Sequence, residues 1–242
     1  INFNMEKSVT DAINFRRSVR KFDPNKEIDT EIVKKCIENG VLAPTSSNLQ
    51  LWEFYHITNK DLLRKVSKIC FDQPAASTAK QIVITLVRRD LWKKRANQNI
   101  DFFDSKKQKL NQKQYDLTKK YYTKAVPLVY NDFLGIYSYC KYLLANFLGF
   151  FRVMYRQLRN SDTRVVAHKS AALASQNFMI SMAGFGYDTC PMEGFDSLKL
   201  KKLLKLNSKS EINMVIGCGI RLKEGVYGER FRIPFDDVYF RK

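Results

Sequence analysis

The stretch from Gln81 to Val87, reading Gln-Ile-Val-Ile-Thr-Leu-Val, limits the possible folds of this chain more than any other. Ile82, Val83, Ile84, Thr85 and Val87 are β-branched and favour extended backbone. Apolar residues fall on both parities, so the segment has no solvent face and reads as a buried central strand. A second buried strand is expected over Asn213–Ile220, and a third strand over Trp52–Thr58.

Helical patterns surround these strands. Ser8 followed by Asp11 resembles a capping box opening a short helix through Val9, Ala12 and Ile13. Asp23–Lys26 is a turn, and Asp29 caps a second helix with Ile32, Val33, Cys36 and Ile37 on one face. Gly40 and Pro44 mark its end. Leu62, Leu63, Val66, Ile69 and Cys70 fit a third helix. Val165–Phe185 is a long helix without Pro, whose Ala171, Ala172, Ala174 and Ala183 permit close packing, and Ser197–Leu206 is a short one. No repeat or Pro/Gly-rich linker interrupts the chain, so its 242 residues are expected to form one domain, 1–242.

The middle is different. Arg88–Lys124 holds twelve Lys and Arg against four Asp, interleaved with Trp92, Phe102, Phe103, Tyr115, Tyr121 and Tyr122. Phe133–Tyr155 is then strongly apolar, broken among charges only by Lys141 and Arg152. Its longest uncharged run falls short of the roughly 18 to 20 residues of a membrane span. A helical cover over a hydrophobic site is expected at about 88–162. Shallow contact with an anionic membrane is the lesser expectation.

Forty-two Lys and Arg against twenty-four Asp and Glu leave a net charge of +18. Such a balance suits anionic partners: nucleic acid, membrane or a phosphorylated cofactor. No stretch reads as a nucleic-acid module, so no nucleic-acid partner is expected. Cys36, Cys70, Cys140, Cys190 and Cys218 are odd in number and widely spaced, which argues against a disulfide framework or zinc site and for a reduced, cytoplasmic setting. The first twenty residues are polar and charged, unlike a cleavable signal peptide. With only His56 and His168, an enzyme built on this chain is expected to take its chemistry from an organic cofactor rather than a metal.

Four short motifs carry that chemistry. Arg16-Arg17-Ser18-Val19-Arg20-Lys21-Phe22 offers forked guanidinium donors suited to a phosphate. Ala43-Pro44-Thr45-Ser46-Ser47-Asn48-Leu49-Gln50-Leu51-Trp52 is a polar, turn-rich loop of the kind that presents hydroxyls and amides to a ligand. Cys190-Pro191-Met192-Glu193-Gly194-Phe195-Asp196 contains a Gly that permits close backbone approach; taken alone it reads equally as a surface turn. Gly228–Pro234 carries Arg230 and Arg232, which alternation would place on one side of an extended segment. Nothing near Cys190 activates it, so it is expected to be inert. There is no Gly-x-Gly-x-x-Gly fingerprint.

The first two motifs together resemble the entry signature of the nitroreductase family, flavoproteins that bind FMN at the interface of a homodimer. That family's loop pattern is Ala-Pro-Ser-x-x-Asn-x-Gln-Pro-Trp. This chain keeps Ala43, Pro44, Asn48, Gln50 and Trp52, with Thr45 for the Ser and Leu51 for the Pro. The third motif falls where the family places residues beside the flavin ring. The resemblance covers most of the chain and is poorest between about Arg88 and Asp162.

The resemblance implies an α+β fold: a three-layer sandwich with a mostly antiparallel central sheet flanked by helices, and a C-terminal segment crossing to a partner subunit. It also implies hydride transfer from NAD(P)H through FMN to a nitroaromatic, quinone or similar flat acceptor, with no catalytic side chain named. Arg16, Arg17 and Ser18 would hold the phosphate and ribityl chain. Arg20 would sit near the pyrimidine edge, where a cation stabilises charge that develops on reduction. Pro44, Thr45, Ser46, Asn48 and Gln50 would act across the dimer interface. Gln73 would offer its amide to the pyrimidine ring. Pro191, Met192, Glu193 and Gly194 would lie along the ring, with a backbone N–H aimed at N5. Arg230 and Arg232 would complete the phosphate site, Arg221 being the alternative. Two rivals remain: reductive dehalogenation or flavin fragmentation on the same fold, and a basic nucleic-acid- or membrane-binding protein whose binding would weaken steeply with salt.

Overall fold

The computed structural model describes residues 7–133 and 135–242. Its helices are α1 (Val9–Phe15), α2 (Thr30–Gly40), α3 (Lys60–Ile69), α4 (Pro74–Ser77), α5 (Trp92–Ser105), α6 (Gln112–Lys120), α7 (Val126–Tyr130), α8 (Ile136–Leu148), α9 (Asn160–Gly184) and α10 (Ser197–Leu203). Its strands are β1 (Trp52–Ile57), β2 (Gln81–Val87), β3 (Asp188–Met192) and β4 (Glu211–Gly219). The starts follow local chemistry. Ser8 accepts from the Asp11 amide at 3.2 Å, Asp29 from Glu31 at 2.8 Å, and Asn59 from Leu62 at 3.0 Å.

The four strands form one sheet in the order β1-β2-β4-β3, every neighbouring pair antiparallel. All seven residues of β2 are buried, as expected of a central strand. Ile82, Ile84 and Leu86 face a cluster built from α3, α4 and α10, including Leu63, Val66, Ala75 and Leu200. Val83 faces the opposite cluster, with Val33 of α2 and Phe178 and Met182 of α9. The period of two along β2 therefore supplies two cores, which makes a helix–sheet–helix sandwich. An irregularity opposite Thr85 and Leu86 shifts the phase of β4, so that Ile212 serves the first cluster and Met214 the second. Gly40 lets α2 approach α9 closely: a Cβ there would lie 3.1 Å from the Ala174 carbonyl.

Two regions hold structure that the local sequence leaves open. The third motif, which taken alone reads equally as a surface turn, begins as an edge strand, β3. Pro191 is compatible with this because β4 is the only named strand that pairs with β3, and the isolated bridge on its other side falls at Thr189 rather than at Pro191. Residues 88–162 hold several short helical pieces: α5, α6, a five-residue π-helical turn at Tyr121–Ala125, α7 and α8. Tyr122, Val126 and Ala96 anchor it against Leu49, Leu51, Trp52 and Val87. Most large side chains of α8 stay exposed, including Tyr137, Leu144 and Phe147. Among the described residues, no helix is long and apolar enough to cross a membrane.

Candidate functional site

The segment after α1 runs extended along the β3 edge of the sheet. Ser18 bridges Thr189 of β3, and Phe22 bridges Arg221. Val19 and Phe22 are fully buried and fix the segment, which leaves Ser18 and Arg20 facing outward. The chain beyond β4 returns to the same edge. The Arg20 amide donates to the Gly225 carbonyl at 2.6 Å, and Arg17 Nη2 donates to the Gly228 carbonyl at 3.0 Å. Arg230 Nη2 reaches back to the carbonyls of Asn14 at 2.8 Å and Arg16 at 2.7 Å.

Between the two segments lies a cleft of about 260 Å³ lined by Arg16, Arg17, Ser18, Arg20, Arg230 and Arg232, with Tyr227 and Glu229. Among the described residues none of these five arginines forms an ion pair, whereas Arg88, Arg89, Arg164 and Arg221 all do. Burial, then repulsion from Arg230, Arg232 and Arg17, holds the Arg16 guanidinium below its ordinary pKa. Five cations facing one carboxylate form a site poised for an anion, with guanidinium geometry suited to phosphate oxygens. Arg221 belongs elsewhere: it pairs with buried Asp188, donates to the Phe15 carbonyl at 3.0 Å and stacks over the Phe15 ring.

The third motif passes directly beside the cleft. Burial pushes the Cys190 thiol above its ordinary pKa against the opposing charges of Arg20 and Arg16, as suits an inert cysteine. Pro191 is half-buried and Met192 buried in β3, while Glu193 and Gly194 emerge exposed. Gln73 Nε2 donates to the Gly194 carbonyl at 2.8 Å and to the Cys70 carbonyl at 3.0 Å. Phe71 and Asp72, both left-handed at φ 59° and 47°, turn the chain so that Gln73 reaches that far. Gln73 and the third motif thus converge.

The loop 44–50 lies apart from the arginine cleft and lines none of it. Ser47, Asn48 and Gln50 are left-handed, with φ of 54°, 49° and 48°. Conformations that non-glycine residues seldom adopt need outside support. Asn99 of α5 supplies it, accepting from Asn48 Nδ2 at 2.8 Å and donating to the Asn48 carbonyl at 3.0 Å. Tyr122 donates to the Ser47 carbonyl at 3.1 Å. Gln50 Nε2 donates to Asn48 Oδ1 at 3.2 Å, and the Gln50 amide to Thr45 Oγ1 at 3.3 Å. Pro44 is exposed, and the Ser46 amide donates to Ser170 of α9 at 3.4 Å. The expected site residues therefore form two groups that do not meet within one chain. Sequence reading missed Asn99 and Tyr122; their only signal was polarity on the inward side of a cover helix.

Comparison with known proteins gives one consistent result. The profile of the Nitroreductase family matches residues 13–220. A candidate NAD(P)H nitroreductase of Staphylococcus epidermidis is 28% identical over 240 residues, covering 97% of this chain and 96% of its own. The solved structure of a candidate nitroreductase from Bacillus subtilis superposes with a TM-score of 0.73 at 24% identity, covering 96% of this chain and 98% of that one. A candidate nitroreductase from Exiguobacterium sibiricum, solved in complex with FMN, superposes with a TM-score of 0.70 at 19% identity over the whole of both chains. With this fold and a profile match reaching from α1 to the end of β4, the chain belongs to the nitroreductase family.

Proposed function

We propose that the protein is an FMN-dependent oxidoreductase that takes electrons from NAD(P)H and delivers them to a flat acceptor such as a nitroaromatic or quinone. The observation that carries this reading is the cluster of Arg16, Arg17, Arg20, Arg230 and Arg232, without ion-pair partners among the described residues, along the edge of β3, the strand that leads into the exposed Glu193–Gly194 step. The cluster fits an FMN phosphate: it supplies forked donors, an exposed Ser18 hydroxyl, and positive charge held close by main-chain bonds. Arg20 would stand near the pyrimidine edge and Gln73 would fix the Gly194 backbone along the ring. FMN, when bound, supplies the hydride chemistry; the chain's part is to bind, orient and neutralise charge. Gly194 has room for a Cβ, its nearest neighbour being Gln73 Nε2 at 3.5 Å, so its exposed backbone is open to a ligand.

A homodimer belongs to this reading. Pro44, Thr45, Ser46, Asn48 and Gln50 would reach the FMN held by the other subunit, since they do not meet the arginine cleft of their own. Residues 227–242 are exposed throughout, with Phe231, Phe235 and Phe240 open to solvent, as suits a segment that packs on a partner. A reduced cytoplasmic setting goes with the same reading.

The test is the visible spectrum of the protein after FMN addition and desalting, followed by anaerobic NADH and then NADPH. Retained flavin that bleaches with either nucleotide supports the proposal. Protein that retains no flavin overturns it.

A further inference from the structure

The apolar residues that end α8 lie on the outside of the protein. Phe147, Phe150 and Phe151 are 61%, 81% and 76% exposed, and Val153 is fully exposed. Leu143 and Leu144, one turn earlier on α8, are also more than half exposed. The Phe147 and Phe151 rings meet edge to face, with centroids 5.7 Å apart. The loop that carries them is held in shape. The Phe150 and Phe151 amides donate to the Phe147 and Leu148 carbonyls at 3.2 and 3.0 Å. Arg156 closes the loop, donating to Asn146 Oδ1 and to the Gly149 carbonyl, both at 2.9 Å. Folding gains nothing from holding large apolar side chains in water, so the patch suits a contact outside the chain.

The charges around this patch have one sign. From residue 133 to residue 161 the sequence has no Asp or Glu, but it has Lys141, Arg152, Arg156 and Arg159. Arg159 pairs with Asp162, and Lys141 is turned to the Leu128 and Asn131 carbonyls, each at 2.8 Å. Arg152 and Arg156 are exposed and form no ion pair among the described residues. A second copy of this face would bring the same positive charge against it. A nucleic acid would meet the cations, but Leu143, Leu144 and Val153 offer no ring on which a base could stack. The interfacial zone of an anionic bilayer matches both halves of the patch: apolar tips enter the acyl boundary while guanidinium groups meet lipid phosphates. The contact is shallow, since no described helix is long and apolar enough to cross a membrane. We propose that the end of α8 and the loop 149–156 dock the protein on an anionic bilayer surface, with Phe150, Phe151 and Val153 entering the interface and Arg152 and Arg156 holding lipid phosphates. This docking does not rest on the flavin reading.

The test is co-sedimentation of the full-length protein with vesicles of phosphatidylcholine alone and of an equal mixture of phosphatidylcholine and phosphatidylserine. Binding to the mixed vesicles is expected to be at least about tenfold tighter. Replacing both rings, Phe150→Ser with Phe151→Ser, should weaken it about tenfold. Arg152→Glu should weaken it more than Lys202→Glu, which makes the same change in net charge on the exposed surface of α10. Fluorescence of the Phe150→Trp protein should be quenched by lipids brominated in the upper acyl chain, beyond any quenching of wild type. Equal losses in Arg152→Glu and Lys202→Glu would reduce the effect to the overall charge of +18 and overturn the proposal. Quenching no greater than in wild type does the same. If the double Phe variant loses the wild-type sedimentation coefficient, a second copy covers the patch and the proposal fails. Tighter binding of a single-stranded oligonucleotide than of the mixed vesicles, lost in the same variant, also overturns it. Should that variant not fold, the two charge reversals and the quenching still decide the matter.

Discussion

Arg230 and Arg16, 214 positions apart, are joined by a 2.7 Å hydrogen bond from the Arg230 guanidinium to the Arg16 main-chain carbonyl. The bond holds two cationic side chains in one cleft although they repel each other. Arg230 is also the largest single charge acting to depress Arg16. An arrangement that sets cations together without a fixed counter-charge stores unfavourable energy that an anion relieves on binding. The folded chain therefore favours an anion in this cleft before any ligand arrives.

Arg16→Ala should remove charge-assisted bonds that contribute about 1.5–3 kcal/mol. FMN affinity is then expected to fall roughly 10- to 100-fold. Stability of the flavin-free protein should be unchanged or slightly higher, because a repulsive contact is gone. Titration of FMN fluorescence and a melting curve of the apoprotein measure the two quantities. Unaltered FMN affinity would refute the placement of the phosphate.

Gly225→Ala and Gly194→Ala should separate folding from binding. A Cβ on Gly225 would collide with the Lys21 carbonyl, a main-chain atom that cannot swing aside. The expected cost is about 1–3 kcal/mol, together with faster amide exchange at Arg20, which donates to the Gly225 carbonyl. A Cβ on Gly194 meets only ordinary contact, so stability should stay within about 0.5 kcal/mol. FMN binding should nonetheless weaken if the ring lies against that backbone. Urea unfolding and FMN titration of both variants give the comparison, and an unstable Gly194→Ala would contradict it.

What the sequence discloses follows the range of the interactions. The central position of β2 is legible because its burial on both faces is written in adjacent residues. Caps at Ser8 and Asp29 are legible for the same reason. The edge strand β3 is hidden because five residues containing Pro191 carry no alternation, and only pairing with β4 makes them a strand. The convergence of Arg16 with Arg230 is suggested by family resemblance and not by any local pattern. The bond between Asn48 and Asn99 spans 51 positions, and the polarity of Asn99 on the inward side of its helix does not say which residue it braces. Its importance appears only once three left-handed exceptions within four residues, Ser47, Asn48 and Gln50, are seen to need a brace.

Asn99→Ala should therefore damage the loop more than a simple helix substitution would. Asn99 is 8% exposed and bonds Asn48, Tyr122 and the Arg95 carbonyl. Its loss leaves buried polar groups unpaired, at about 1–3 kcal/mol. Amide exchange should accelerate at 46–50 while the arginine cleft keeps its phosphate affinity. Exchange unchanged at the loop would show that Asn99 is not its support.

Glu211 should contribute an acid-sensitive part of stability. Its carboxylate accepts from Arg89 Nε at 3.0 Å, from Arg164 and from His168 Nε2 at 3.3 Å. Burial alone would raise its pKa, but the bonds from Arg164 and His168 and the charges of Arg89 and Arg164 outweigh it, and the value lies below the ordinary glutamate range. Because the folded value is below the unfolded one, near about 4.3, the stabilisation is complete above that pH and is lost as pH falls through the folded value. Glu211→Gln should cost about 1 kcal/mol at pH 7, the carboxylate being partly exposed. The difference between wild type and variant should then shrink towards zero as the pH is lowered from about 5 to about 3. Arg89 also donates to Asn160 Oδ1 at 2.6 Å, so the loss would loosen the start of α9 where the cover rejoins the core. Urea unfolding of both proteins across that range measures the effect, and a difference that does not vary with pH would show that the Glu211 network adds no pH-linked stability.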